Sequence, residues 1–266
     1  MNSDTKIYVV APDNIAPFYE PSLTYIDPDI ADGDSIYYKS GYSELRAHYW
    51  VWKNSLDSEY VGFFQFRRFL NLDGKKHGRP YYIIKKPDAA YFAGLGDVAQ
   101  YDVIAPIAEY TGESVWERYA GIHRKEDLEA VRSIIVSKYP EYSASAEKYL
   151  NGQSEYYCNM YIMKSAVFSD YCRWLFGILD EFDKTAGDIP PRTQGYLAER
   201  LFGIWFTDFK DKGEHNWKEV PRLHFWCYDD ETHSMKTDKL KCLILPPGTK
   251  LRAFVRKKMK TKENKK

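Results

Sequence analysis

Two adjacent arginines, Arg67 and Arg68, follow the apolar run Tyr60–Phe66 in a chain of 266 residues. The run is aromatic and β-branched and reads as a short buried strand. Arg carries a planar fork of donors that grips phosphate or carboxylate through paired bonds. Cations delivered to the carboxyl edge of a strand are how open α/β sheets build anion sites. A pair with one member solvated and the other salt-bridged would read the same way.

Other residue types capable of chemistry are scattered along the chain. Asp27-Pro28-Asp29 and Asp32-Gly33-Asp34 have the Asp-x-Asp form that holds Mg²⁺ or Mn²⁺ on a nucleotide diphosphate, and equally the composition of turns. His123 precedes Arg124-Lys125-Glu126-Asp127 at a helix start, where it can act as a general base, bind phosphate, or stand solvated. Glu199 and Arg200 lie in GYLAERLFGIWF, with Leu197 and Leu201 two residues either side of the acid. That spacing puts the carboxylate near the edge of an apolar face, where it can deprotonate a hydroxyl or form a surface ion pair. Tyr156, Tyr157 and Asn159 stand at the entrance to the apolar run NMYIM, and can grip a sugar or form a turn. The Gly-rich phosphate loops GxGxxG and GxxxxGK[ST] do not occur.

The elements that must position these groups alternate between helix and strand. Lys6–Val10 reads as a strand and residues 11–41 as loop. Tyr42–Asn54 reads as a helix, with Leu45, His48, Tyr49 and Trp52 at i, i+3, i+4 and i+7. After the Tyr60–Phe66 strand, residues 71–84 read as loop, Asp88–Leu95 as a short helix, and Tyr101–Ile107 as a strand. Residues 113–151 read as mostly helical with a break at Pro140. Tyr157–Met163 is a further strand, Ser165–Lys184 and Gln194–Lys210 are long helices parted by Gly187–Pro191, and Val220–Trp226 is a last strand. The alternation predicts one α/β domain with a mixed sheet, bounded near Leu245.

Aromatic residues make up 17% of the chain, with 23 Tyr and 7 Trp, a composition that suits sugar or nucleobase faces as well as an aromatic core. Formal net charge is zero, which argues against a nucleic-acid binder. Yet residues 250–266 carry nine Lys or Arg and one acid, Glu263. Within them Leu251, Phe254, Val255 and Met259 recur at helical spacing among Lys250, Arg252, Arg256, Lys257, Lys258 and Lys260, which predicts a basic amphipathic tail on an anionic membrane surface. The start, MNSDTKIYVV, lacks the layout of a secretory signal, and no apolar run approaches membrane-helix length, so a cytoplasmic protein, peripheral at the inner membrane face, is expected. Cys158, Cys172, Cys227 and Cys242 are too scattered for a zinc site and too few for a disulfide framework.

The order of motifs resembles a family of bacterial capsular and exopolysaccharide glycosyltransferases long catalogued as a domain of unknown function. The residues that carry the resemblance are Gly33-Asp34-Ser35-Ile36, Tyr42-Ser43-Glu44-Leu45 running to Tyr49-Trp50-Val51-Trp52-Lys53-Asn54, and Gly62 through Phe69. They continue as Trp116-Glu117-Arg118-Tyr119 with His123 and Asp127-Leu128, then Asn159 through Lys164, and Tyr196 through Leu201. The match spans about Lys6 to Phe225. Where the family pattern has His-Tyr before its Arg pair, this chain has Gln65-Phe66, so a titrating role there is lost while a binding role survives.

The resemblance implies a single-domain, Rossmann-like glycosyltransferase over residues 1–245, with residues 246–266 as tail. Its implied donor is a nucleotide sugar, a UDP-hexose and galactofuranose among the candidates, and its implied acceptor a lipid-linked saccharide. It assigns Asp34, Gln65, Arg67 and Arg68 to the donor diphosphate, Glu199 and His123 to catalysis, and Tyr156, Asn159 and Arg200 to the sugar or acceptor. A divalent metal remains an open alternative to the arginines, and a non-catalytic saccharide-binding member of the same pathway is the competing reading.

Overall fold

The computed structural model describes residues 4–12, 19–86, 89–226 and 235–263; Asp88 and Cys227 lie outside the described residues. In chain order, β1 (Thr5–Val10) and β2 (Thr24–Ile26) precede a 3-10 turn at Ser40–Tyr42 and α1 (Leu45–Asn54). Next come β3 (Tyr60–Gln65), β4 (Arg68–Leu70), β5 (Tyr81–Ile84), a 3-10 segment at Ala89–Gln100, β6 (Val103–Pro106) and β7 (Glu109–Tyr110). The helices α2 (Val115–Ala120), α3 (Lys125–Lys138) and α4 (Ser143–Leu150) follow, then β8 (Ser154–Glu155), β9 (Tyr161–Lys164), α5 (Ser165–Thr185) and α6 (Thr193–Lys212). Last are β10 (Trp217–Val220), β11 (Arg222–Phe225), α7 (Met235–Ile244) and α8 (Lys250–Glu263).

The sheet is mixed, and its directions matter for function. β3 pairs in parallel with β1, from Thr5 opposite Tyr60 to Val10 opposite Gln65, and β1 pairs in parallel with β2. On its other edge β3 runs antiparallel to β9, which is antiparallel to β6 in turn, and β6 is parallel to β10. A tight hairpin at Phe66-Arg67 turns β3 into β4, and β11 and β5 extend the sheet from there. The carboxyl ends of β1, β2, β3, β6, β10, β11 and β5 therefore share one edge, where the amino end of the reversed strand β9 joins them.

Alternation along the strands buries both faces of the sheet. Tyr8, Val10, Val61, Phe63, Tyr161 and Met163 face a core closed by α1 through α6. Ile7, Val9, Tyr60, Phe64, Met160 and Ile162 face a second core with Phe69, Leu223, Phe225 and Phe92 of the 3-10 segment. Helix ends follow their local signals. Ser114 and Glu117 form a reciprocal capping box at α2, with Glu117 N–H donating to Ser114 Oγ at 3.1 Å and Ser114 N–H to Glu117 Oε2 at 3.0 Å. Gly213, at φ 68°, stops α6.

Several sequence expectations shift. The loops at 11–41 and 71–84 each contain a short strand, β2 and β5, and the run Tyr157–Met163 becomes strand only at Tyr161. Pro221 divides the expected Val220–Trp226 strand between β10 and β11. Arg68 does not extend beyond the strand end but lies on the returning β4. The aromatic share goes mostly inward: Tyr8, Tyr42, Tyr60, Tyr119, Tyr161 and Tyr171 are all among the largest fully buried side chains.

His48 on α1 is buried against the Phe63 ring, and its Nδ1 sits 2.7 Å from the Tyr161 hydroxyl. Burial lowers its pKa to about 3. The unfolded chain binds a proton near pH 6.5 that the folded chain refuses, so stability present above that value is lost as pH falls toward 3. The His48 share is on the order of 5 kcal/mol. His48→Gln is expected to flatten the loss of unfolding free energy between about pH 6 and pH 4, measured by urea denaturation. His224 and His123 are lowered in the same sense, so part of the slope should survive; an unaltered slope would place the acid sensitivity elsewhere.

Candidate active site

At the shared carboxyl edge lies a cleft of about 1020 Å³, within the range of small-molecule sites at the upper end. Seven arginines line it (Arg46, Arg67, Arg68, Arg118, Arg192, Arg222 and Arg256) against four acids, Glu44, Glu109, Glu199 and Asp238. That is a formal excess of three positive charges in a protein whose net charge is zero. A concave, cationic pocket of this kind focuses anionic ligands.

The floor of the cleft is one hydrogen-bonded web. Gln65, at the end of β3, donates through Nε2 to Glu44 Oε1 at 3.2 Å and to the Cys158 carbonyl at 2.9 Å, and its Oε1 accepts from Arg68 Nη1 at 3.0 Å. Glu44 Oε1 also accepts from Asn159 Nδ2 at 2.9 Å. Cys158 and Asn159 both have positive φ, 83° and 44°. Consecutive non-glycine residues in that region store strain, of order 1–3 kcal/mol each, and persist only where surroundings over-determine them. Here the determinants are visible: Cys158 N–H donates to Glu199 Oε1 at 2.6 Å, its carbonyl accepts from Gln65, and the Asn159 amide is clamped between Glu44 and the Gly195 carbonyl.

Glu199 reaches this floor from α6, its side chain 16% exposed. Burial raises its pKa, and the carboxylates Glu44 and Glu155 push the same way, while Arg200 and the Cys158 amide hold it down. Its Oε2 accepts from Arg200 Nη1 at 2.8 Å. Glu155 is fully buried, ion-paired with Arg200 at 2.6 Å and with Arg118 at 3.0 Å, and accepts from the Tyr157 hydroxyl at 2.5 Å.

The opposite wall is β11. Arg222 and His224 face the cleft while Leu223 and Phe225 enter the second core, the period-two rule at work. Buried Arg222 pairs with Glu109 Oε2 at 3.1 Å and approaches Cys158 Sγ at 3.5 Å. His224 stacks on Tyr81, and burial with Arg222 and Arg68 nearby holds its pKa well below the usual value, so it is neutral. Arg192 caps α6 in the left-handed region and donates through Nε to Ser43 Oγ at 3.2 Å.

Of the residues singled out from sequence, Glu199, Gln65, Arg67 and Arg68 come together in the cleft. Asn159 is buried beneath it as part of the floor. The others are placed differently. His123 is not a lining residue; it stacks on Tyr196, whose ring lines the cleft, with centroids 4.2 Å apart. Tyr156 turns away into the core among Tyr149, Phe202 and Phe206, its hydroxyl bonded to Glu219 and Lys210, and the adjacent Tyr157 faces the cleft instead. Adjacent residues of extended chain project oppositely, which sequence could not orient without the register.

Asp34 sits on an exposed loop pinned to α1 by Asn54, whose Oδ1 accepts from Asp34 N–H at 2.9 Å, and it does not line the cleft. Asp29 pairs with Arg46, and Asp27 and Asp32 close their own turns. Among the described residues no three His, Cys, Asp or Glu side chains gather as a metal site. Glu44, Glu109, Arg118, Arg192, Arg222 and His224 escaped the sequence reading. Glu44 and Arg118 lay within the quoted motifs, and the alternation of RLHF was the signal for the β11 pair.

Arg200 lies beneath the floor and not in the cleft; 3% exposed and shared by Glu155 and Glu199, it is a strut. Removing one partner of a buried ion pair typically costs ~3–5 kcal/mol. Arg200→Met is therefore expected to lower unfolding free energy by about that amount in urea denaturation. Unchanged stability with weakened ligand binding would instead make Arg200 a ligand contact.

The fold and cleft together define a class: an α/β domain of glycosyltransferase type, with a mixed sheet flanked by helices. A solved structure described as WbbM, a bifunctional glycosyltransferase in its apo form, superposes with a TM-score of 0.74 at 28% identity. The overlap covers 84% of this chain and 46% of that one, so this chain spans under half the length of the protein it resembles. The family described as Domain of unknown function (DUF4422) matches residues 19–211, and the chain belongs to it. No curated protein matches the chain.

Proposed function

We propose that this protein is a glycosyltransferase that moves a hexose from a nucleoside diphosphate, a uridine diphosphate in the favoured case, to a hydroxyl of a lipid-linked saccharide. The observation that carries the reading is one cleft that joins an arginine-rich wall to a largely buried carboxylate of raised basicity. The likeness to a bifunctional glycosyltransferase supports the class.

In the proposed step the acceptor hydroxyl oxygen bonds to the anomeric carbon as the bond from that carbon to the diphosphate oxygen breaks. The leaving diphosphate takes the electron pair, and Arg67 and Arg68 at the β3–β4 turn offset its charge. Glu199 receives the hydroxyl proton. Each of its oxygens already accepts one hydrogen bond, and each has a further lone pair for the incoming hydroxyl. Raised basicity suits a base working near neutral pH. None of Asp27, Asp29, Asp32 and Asp34 lines the cleft, whereas seven arginines do and can offset the charge of a diphosphate. Gln65, in place of a histidine, favours the competing reading of a saccharide-binding member without turnover, which hydrolysis or transfer of donor distinguishes directly.

Uridine diphosphate at one hundred times its dissociation constant should stabilise the folded chain by ~2.7 kcal/mol, read as a rise in melting temperature. Arg67→Ala is expected to weaken that binding about ten- to a hundredfold, as loss of a charge-assisted bond of ~1.5–3 kcal/mol does. If neither Arg67→Ala nor Arg68→Ala alters donor binding, the diphosphate is held elsewhere.

Glu199→Gln should lower turnover by roughly 10²–10⁴ with donor affinity little changed. The base acts only when ionised, so wild-type kcat should rise with pH through an apparent pKa above the ordinary carboxylate value, and this limb should vanish in Glu199→Gln. Turnover within a few-fold of wild type would assign Glu199 a structural part only.

A further inference from the structure

Helices α7 and α8 are amphipathic the wrong way round for a soluble protein. Twelve large apolar side chains are exposed among the described residues, and six of them, Leu240, Leu243, Ile244, Leu251, Phe254 and Met259, lie on these two helices. The inner faces are polar or small. Arg252 donates to the Tyr81 hydroxyl at 2.9 Å and to the Leu245 carbonyl at 3.0 Å, Ala253 is buried against Gly112, and Arg256 reaches toward Glu109 at 3.6 Å. On α7, Asp238 lines the cleft and Cys242 lies 4.0 Å from the same Tyr81 hydroxyl. Both helices thus turn polar sides inward, meeting at Tyr81 of β5, with α8 extending over Glu109 and Gly112, and both apolar stripes turn outward.

We infer that this outer face docks the protein on an anionic lipid surface. Leu240, Leu243 and Ile244 fall at i, i+3 and i+4, and Leu251, Phe254 and Met259 at i, i+3 and i+8 on α8, each set on one side of its helix. Exposed lysines rim the stripes: Lys236, Lys239 and Lys241 on α7, Lys250, Lys257 and Lys258 on α8. Residues 235–263 hold ten Lys or Arg and two acids. This chemistry selects among occupants. A second copy meeting the same face would set lysine against lysine, and protein interfaces are depleted of lysine at their centres. Anionic headgroups neutralise the lysines while the stripe enters the headgroup–acyl boundary. Among the described residues no helix is long and apolar enough to cross a membrane, so the contact is with one leaflet's surface.

Docking also orients the cleft. Arg256 and Asp238 belong both to these helices and to the cleft wall, and a smaller cavity of about 260 Å³ at α8 shares Arg118 and Arg256 with the main one. The opening therefore lies beside the membrane face, where a substrate anchored in lipid would present its head.

The test is co-sedimentation of the full chain with vesicles of mixed phosphatidylglycerol and phosphatidylcholine, and of phosphatidylcholine alone. Strong pelleting with the anionic vesicles only is expected, falling as salt rises. Lys239→Glu, Lys250→Glu and Lys258→Glu together should lower partition by more than a hundredfold, at about fivefold (~1 kcal/mol) for each lysine lost. Leu243→Asp with Leu251→Asp should abolish pelleting at unchanged melting temperature, since both side chains are more than half exposed. Equal pelleting with both vesicle types, pelleting with neither, or wild-type partition by the lysine variant would overturn the inference. So would a dimer in sedimentation equilibrium that Leu243→Asp with Leu251→Asp dissolves, because the face would then belong to a second copy. None of these readouts depends on sugar transfer.

Discussion

The buried carboxylate of Glu155 is the interaction on which the site depends. It lies under the cleft with no exposure, and such a charge is tolerated only when paired and hydrogen-bonded. Its partners are Arg118 from α2, Arg200 from α6 and the Tyr157 hydroxyl. Glu155 therefore ties a short strand to two helices, and through Arg200 it fixes the rotamer of Glu199. Glu199 in turn accepts from the Cys158 amide and stabilises the strained turn whose other bonds run to Gln65 and Glu44. The web extends from a buried acid to the arginine turn after β3 without a break. Replacing one member is felt along it, since interior polar networks are stronger satisfied than partly satisfied.

Strand direction supplies the second constraint. Parallel pairing of β1 with β3, and of β6 with β10, brings loop-borne groups to one edge. Of the two reversed strands, β4 and β9, it is β9 that contributes its amino end to that edge beside β3, which is why Tyr157 and Cys158 meet Gln65. A parallel β9 would have carried them to the opposite side of the sheet. The cleft is thus a product of topology, and its charge is a product of where arginine was placed in that topology.

Much of this was legible in the chain. Long helices with regular apolar spacing, such as α5 and α6, and strands of β-branched or aromatic residues, such as β1 and β3, announce themselves locally. The Arg67-Arg68 pair and Glu199 were visible because each adjoins such an element. What stayed hidden depended on pairing. β2, β4 and β5 are three or four residues long and exist through their neighbours, so composition marked two of them as loop. Tyr156 and Tyr157 could not be told apart without knowing which faces inward. Arg222 and His224 belonged to a strand recognised as such, yet the cleft they face is lined in part by residues as distant in sequence as Glu44 and Arg67.

If the resemblance is right in placing a histidine at position 65, Gln65 keeps the geometry while changing the chemistry. Here the side chain makes three bonds at once, donating to Glu44 and the Cys158 carbonyl and accepting from Arg68. A neutral histidine offers one donor and one acceptor, and a protonated one offers two donors and no acceptor for Arg68. Protonation would also add a cation beside Arg68, in a cleft that already holds an excess of positive charge. Glutamine makes these bonds in a single charge state, so its own hold on Arg68 and on the Cys158 carbonyl does not titrate. On the same floor Glu199 holds a carboxyl whose pKa burial raises. Gln65 holds its neighbours in place, and the proposed mechanism leaves the proton to Glu199.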